Sequence, residues 1–443
     1  MRSIPMILIA GILTASGANA AVLSAVVQKP SADVYAQPNF EAPKVATLPH
    51  DAAVSISAQQ GLWYQLQMPA GAPGFVRVND VRVAYAGSEG GDANVRVLMG
   101  GKAGAGRVTE TAGVRGIDES DLKSASFDQA QLNAMVGYRV DPATAAAYAR
   151  EHGWQASTVA YAGEAKRSES SGTSPSVSSS STAAVARSVS GLLGSLGINV
   201  GSKVDTAVKA VPKPEDELAA EELALGPEIA GRILGARPLW NDPGAQKRVN
   251  LVGRWVASQS SRPDLPWTFG VIDTPEVNAF AAPGGYILIT RGLYQLLSSD
   301  SELAAVLGHE ISHCVQRDHY NVIRKQQLAT TGKDAALSNV STSTGSVAGD
   351  YARKYAETHG AAVMLTSLDR DAEYRCDEAA EIYLARSGMN PLALYAVLQK
   401  MTALGNESAS LAQLYKTHPP LDGRLDRIDQ RGHDALAAYA TRE

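Results

Sequence analysis

The 443-residue chain has only two cysteines, Cys314 and Cys376, so at most one disulfide is available to it. It has no excess of positive charge. Its 40 Lys and Arg stand against 45 Asp and Glu, a net charge of -5 and a pI of about 6.0, which leaves no basic surface to invite nucleic acid. After the N-terminus nothing approaches the roughly 18 consecutive apolar residues that cross a bilayer. The N-terminus itself carries Arg2, an apolar stretch from Ile4 to Leu13 and Ala18-Asn19-Ala20, the pattern of a signal peptide over residues 1–20. No cysteine stands at that cleavage point, which excludes a lipid anchor there. An uncleaved anchor is the competing reading, and the shortness of the apolar core argues against it. The expected location is therefore the periplasm or the outside of the cell, with no membrane-spanning segment after cleavage.

What the chain does have is concentrated in His309-Glu310-Ile311-Ser312-His313, behind the apolar run Leu303-Ala304-Ala305-Val306-Leu307-Gly308. Ser299 and Glu302 form a Ser-x-x-Glu pattern, which predicts a capped helix starting near Asp300. Residues four apart on a helix share a face. His309 and His313 therefore point the same way, and two imidazoles so placed can hold one zinc ion at about 2 Å each. Glu310 lies one step round, in the general-base position of HExxH metallopeptidases. The competing reading is that these residues decorate a surface helix. The apolar flanks oppose it, because imidazoles on a mostly buried helix need partners.

A catalytic zinc site needs a third protein ligand and keeps a fourth position open. Downstream, Glu373-Tyr374-Arg375-Cys376-Asp377-Glu378 opens a second helix that runs towards Arg386 and stops at Gly388. Glu373 and Asp377 share a face of it. Glu373 can reach the metal while Asp377 accepts a hydrogen bond from the outer nitrogen of a zinc-bound histidine. Acidic residues are dense here, so an ordinary solvated charge is the competing reading of Glu373.

Around these residues lie Asn278-Ala279-Phe280, the run Pro283 to Leu293, Glu302 to Gly308 leading into the HExxH, Glu373 to Asp377 as an ExxAD pattern, and Thr417-His418-Pro419 followed by Arg424. In these motifs, from Gly226 to Gly432, the chain resembles peptidase family M48, which includes the CAAX prenyl endopeptidases and soluble bacterial relatives acting in envelope protein quality control. The resemblance implies an α+β fold with a mainly helical, gluzincin-type domain and a small β-sheet. It implies that His309, His313 and Glu373 hold one zinc ion per chain, that Glu310 is the base and that Asp377 is the partner of His309. It implies that His418 lies near the metal, either donating to the oxyanion or taking the open position in a latent state. Asn278 and Ala279 become candidate substrate contacts. The sequence departs from the family pattern at Cys376, where alanine is usual, and in one extra residue in Arg317-Asp318-His319.

The remaining chain divides as follows. Residues 21–86 are expected to form a small all-β module, with strand-like runs at Val34-Tyr35, Val45 to Leu48, Ala53 to Ile56, Trp63 to Leu66 and Gly74 to Val78. Gly61-Leu62-Trp63-Tyr64 and Gly74-Phe75-Val76 resemble bacterial SH3-like barrels, which implies a cell-wall or protein partner; a purely structural barrel is the alternative. Residues 87–165 hold a glycine-rich connection and a helical segment of unassigned role, including a helix capped by Asp141-Pro142 and ended at Gly153. Residues 166–190 are a Ser-rich linker and 191–225 a helical lead-in, before a metallopeptidase domain over 226–443 whose first helix starts at Asn241-Asp242-Pro243.

Within that domain Trp267 to Val271 and Gly285 to Thr290 read as strands, the second with an exposed edge able to pair with an extended substrate. The loose stretch from Thr330 to Gly349 reads as a lid or a plain insertion. Cys314 and Cys376 flank the proposed ligands, and in an exported protein a disulfide between them is expected, two buried thiols being the alternative. The function expected is zinc-dependent hydrolysis of peptide bonds in extended or misfolded envelope polypeptides. Two other classes remain open: a latent or chaperone-like zinc protein, and an envelope-targeting protein in which the N-terminal module does the biological work.

Overall fold

The computed structural model of the chain describes residues 22–69, 71–83, 98, 117–159, 215–331, 347–405, 408–431 and 436–442. The expected signal peptide, the glycine-rich connection at 87–106 apart from Leu98, the Ser-rich linker, the helical lead-in up to 214 and most of the 330–349 stretch lie outside the described residues.

The N-terminal module is one antiparallel sheet of seven strands, β1 Leu23–Val27, β2 Ser31–Tyr35, β3 Lys44–Pro49, β4 Ala53–Gln60, β5 Trp63–Leu66, β6 Gly74–Arg77 and β7 Val81–Val83, in the order β3-β2-β6-β5-β4-β1-β7. Alternation drives it. In β1, Leu23, Ala25 and Val27 are buried while Ser24 and Val26 face out. Gly74 is required at its position, since a Cβ there would come within 2.5 Å of Val34 Cγ1. The five expected strands are present, and β1 and β7 join them. The sheet does not close: β3 and β7 are its edges, β2 meets β6 only at Tyr35 and Phe75, and the closed barrel expected for 21–86 is corrected to an open sheet.

Helices α1 Glu119–Ser124, α2 Gln129–Gly137 and α3 Pro142–Glu151 follow among the described residues, each with an aspartate N-cap whose side chain accepts a backbone N–H from the first turn. Next come α4 Glu215–Ala236 and α5 Pro243–Ala257, the latter capped by Asp242 as expected. Helix α4 runs unbroken through Pro227, so the boundary expected between 225 and 226 falls inside a continuous element.

Strands β8 Thr268–Ile272, β9 Ala279–Ala282 and β10 Tyr286–Thr290 form a second sheet in the order β8-β10-β9. β10 runs parallel to β8 and antiparallel to β9, so it is the central strand, and the edge expected on it is corrected to β9. The chain continues through α6 Arg291–Leu296, α7 Asp300–Gln316, α8 Asp318–Thr331, α9 Val347–His359, α10 Arg370–Arg386, α11 Ala393–Ala403, α12 Leu414–Thr417 and α13 Leu421–Arg431. The result is an α+β fold, helical around a small sheet.

The N-terminal sheet is not a separate body. Its inner face joins the core of the helical domain in one buried cluster with residues of α5, α7 and α11. Gln399 on α11, fully buried, accepts the Val83 N–H at 2.8 Å and donates to the carbonyls of Val78 and Val81. Those bonds occupy the outer edge of β7. Among the described residues, no helix is long and apolar enough to cross a membrane.

Candidate metal centre

Helix α7 carries His309, Glu310 and His313. Ser299 caps it, accepting the Glu302 N–H at 3.1 Å. Glu302 does not return that bond to Ser299 as a capping box would. Its carboxylate accepts the Ser298 N–H at 2.7 Å and pairs at 2.7 Å with Lys400, a cation buried completely on α11, whose charge needs a partner more than the helix end does. Helix α10 crosses α7 where Gly308 faces Ala380; a Cβ on Gly308 would lie 3.4 Å from the Ala380 Cα. That close approach brings Glu373 to the histidine pair.

The donor atoms converge. His309, His313, Glu373 and His418 each present one nitrogen or oxygen within 4.8 Å of the others. His309 Nε2 and His313 Nε2 are 3.2 Å apart, Glu373 lies 3.5 Å from the first and 3.7 Å from the second, and Glu373 Oε2 has no hydrogen-bond partner. The outer nitrogens are taken. His309 Nδ1 is 2.9 Å from Asp377 Oδ1 and His313 Nδ1 is 2.8 Å from Asp318 Oδ2. A carboxylate only accepts, so each Nδ1 carries the proton and each Nε2 turns a lone pair towards the other. Two lone pairs at that separation need a proton or a cation between them. Two imidazole nitrogens and a carboxylate oxygen, with an orphaned oxygen among them, are the donor set of a catalytic zinc site, and these residues fit that ion.

Charge follows position. Burial and the neighbouring Arg424 work to lower His309, but the carboxylates of Asp377 and Glu373 outweigh them and lift it to about 9. Burial works to raise Glu373, yet His418, His313 and His309 hold it well below the usual carboxylate range. Asp377 is held low in the same way, against burial, by Arg424 and His309. Burial pushes Glu310 up. His418 follows α12 in extended conformation, its Nδ1 2.8 Å from Thr417 Oγ1, and burial pushes it down to about 3.

Two residues with no role assigned from sequence stand against this cluster. Arg424 on α13, 4% exposed, donates through Nε to Asp377 Oδ2 at 2.9 Å and reaches within 3.4 Å of His309 Nδ1. Asp318, in the Arg317-Asp318-His319 segment after the HExxH, is the partner of His313. The turn that delivers it is made by Arg317, whose φ of 60° is the left-handed region, at a cost of about 1–2 kcal/mol for a residue with a Cβ. Its guanidinium binds Glu222 of α4 at 2.7 Å, a fully buried carboxylate that Arg262 also grips with two bonds of 2.8 Å.

Cys314 and Cys376 are both buried free thiols, which corrects the expected disulfide. The reason is direction: Cys314 Sγ donates to the Ala282 carbonyl at 3.3 Å, whereas Cys376 Sγ faces His313 Nδ1 at 3.2 Å. Asn278 is buried, and both polar atoms of its side-chain amide lack a hydrogen-bond partner. Its backbone is pinned to Thr290, and Ala279 opens the edge strand β9, paired with Ile289. His319, also buried, leaves Nδ1 without a partner and is pushed down by burial to about 4.

Comparison with known proteins reaches the same region. Residues 243–432 match the profile of peptidase family M48. The chain is 28% identical over 206 residues to the beta-barrel assembly-enhancing protease of Escherichia coli K12, covering 46% of this chain and 42% of that one. It is 28% identical over 201 residues to the mitochondrial metalloendopeptidase OMA1 of Arabidopsis thaliana, covering 45% and 39%. It is 25% identical over 166 residues to the metalloprotease LoiP of Escherichia coli K12, covering 38% and 63%. The chain spans less than half the length of the first of these relatives. On this match and on these relatives, residues 243–432 are a peptidase family M48 domain, of the metalloprotease class.

Proposed function

We propose that the chain is a zinc-dependent endopeptidase, exported to the envelope, that cleaves extended or misfolded polypeptides there. The observation that carries the reading is the convergence of His309, His313 and Glu373 on one point, with a buried glutamate beside it. Zinc, when bound by those three residues, supplies a Lewis acid that polarises the scissile carbonyl and acidifies water. Glu310 then takes a proton from the attacking water and hands it to the leaving amine; burial raises its carboxyl towards the range that suits this exchange. His418 donates to the oxyanion as it forms. Asp377 and Asp318 hold the two imidazoles with Nε2 turned inward. Edge strand β9, beginning at Ala279, pairs with the substrate backbone, and the unpartnered amide of Asn278 hydrogen-bonds it; backbone pairing favours broad sequence tolerance. The protease names of the relatives support a polypeptide substrate, and the export expected from residues 1–20 supports the envelope as the place of action.

Glu310→Gln tests the assignment. It should keep one zinc per chain and lose casein cleavage by about 100-fold or more. Cleavage at the parent rate would sink it. A latent state is the second reading, favoured by His418, whose Nε2 lies 3.7 Å from Glu373 Oε2 and so stands within the donor cluster. In that case His418→Ala raises turnover; as oxyanion donor it lowers it.

A further inference from the structure

We propose that Asp318 and Cys376 act as one positioning unit for His313, the thiol steadying the carboxylate that steadies the imidazole. The inference rests on the zinc reading above and concerns the side of His313 that faces away from the metal. The chain's two departures from its family pattern, the extra residue at Arg317-Asp318-His319 and the cysteine at 376, meet at a single atom there. His313 Nδ1 is 2.8 Å from Asp318 Oδ2 and 3.2 Å from Cys376 Sγ.

Hydrogen-bonding capacity orders the three groups. The carboxylate accepts, so the Nδ1 proton goes to Asp318, and Nε2 is left as the lone-pair nitrogen on the Glu373 side. Cys376 is fully buried, with its Sγ set between His313 and Asp318. A thiol has one proton to give. Sγ lies 3.8 Å from the same Asp318 Oδ2, oriented to donate to it, and accepts from Gln316 Nε2 at 3.5 Å. Among the described residues no guanidinium or ammonium group pairs with Asp318, in contrast to Asp377, which has Arg424. The thiol therefore serves as the donor on this side. Alanine at 376 would remove that donor and the sulfur that fills the space beside Nδ1, leaving Asp318 free to turn towards solvent, where 10% of its side chain already lies.

Position is fixed independently of these contacts. Asp318 opens α8 directly after the left-handed Arg317, and Arg317 is tied to the buried Glu222. Asp318, His313 and Cys376 also form a cluster of donor atoms within 4.8 Å of one another, so a second metal ion on this face is the rival account. A direct Nδ1 to Oδ2 hydrogen bond, with Sγ turned towards the same carboxylate oxygen, favours positioning.

The test uses the full-length protein and reads zinc affinity by competition with a chelator, alongside cobalt substitution. Asp318→Ala should weaken zinc about 10- to 100-fold, and the isosteric Asp318→Asn, which still accepts the imidazole proton without charge, should recover part of that loss. Cys376→Ser should remain within about twofold of the parent and Cys376→Ala should weaken zinc several-fold, while Asp318→Ala with Cys376→Ala should be no weaker than Asp318→Ala alone, because the thiol works through the carboxylate. Unchanged affinity in Asp318→Ala, or simple additivity in the double variant, overturns the proposal while leaving the zinc reading intact. A parent protein that binds no zinc overturns both. Cobalt-loaded parent should show no thiolate-to-cobalt absorption; such a band, lost in Cys376→Ser, would make the thiol a ligand and overturn the positioning role. Thermal unfolding of each variant without metal separates misfolding from weakened binding.

Discussion

His309 and His313 stand one helical turn apart, yet the structure supports them in opposite ways. Behind His309 lies a compensated pair, Asp377 and Arg424, both at most 4% exposed and joined by two bonds. Behind His313 lie a carboxylate at the rim, a neutral thiol and a neutral imidazole, His319. The first support is a charged unit that holds only when complete. The second is graded, built from groups that can each be weakened without stranding a buried charge.

Cutting each support at its carboxylate should separate them most. Asp377→Ala leaves the Arg424 guanidinium buried without its partner, a loss of about 3–5 kcal/mol in stability. Adding Arg424→Met should recover much of that, because replacing a buried pair by apolar bulk is often neutral. Asp318→Ala strands only an imidazole N–H, at about 1–3 kcal/mol. Urea unfolding of the metal-free proteins measures all three. Equal losses in the two single variants, or no recovery in the double, would erase the distinction.

Acid and base should sharpen it, with opposite signs. His309 is raised in the folded protein from 6.5 to about 9, so the stability it contributes is complete below pH 6.5 and is lost as pH rises through about 9. His319 is lowered from 6.5 to about 4, so its contribution is complete above pH 6.5 and is lost as pH falls through about 4. Each limb is on the order of 3 kcal/mol, at 1.36 kcal/mol per unit. His418, pushed down to about 3, adds to the acid limb. Denaturant midpoints of metal-free protein across pH should therefore form a dome, and His319→Gln should flatten its acid side alone. A variant with an unaltered acid limb would show that His319 carries no part of it.

The contrast also explains what could be read from the chain. Asp377 is legible because it lies four residues from Glu373 on one helix, and helical period places both on a face. Asp318 is not. Continued as helix, it would lie about 140° round from His313; only the left-handed turn at Arg317 brings it back, and nothing in an arginine announces that conformation. Glu302 misled in a similar way, since a local capping pattern was overruled by Lys400 on a helix far along the chain. In the N-terminal sheet the alternating strands were legible, while three-residue β7 takes its place from a buried glutamine on α11 that no local pattern reveals. The cysteines looked paired because both flank the site; the direction of each side chain, which spacing does not encode, separates them.

The turn itself offers the finest cut. Arg317→Asn keeps a side chain that tolerates the left-handed region but gives up the bond to Glu222, which retains both bonds from Arg262. The expected loss is about 1 kcal/mol in unfolding free energy, with zinc affinity changed by less than about twofold, since Asp318 still reaches His313. If zinc affinity instead falls as far as in Asp318→Ala, the anchoring of the turn by α4 is what orients His313. The graded support would then extend back to Glu222, outside the residues that match the family, and the two imidazoles would differ in reach as well as in charge.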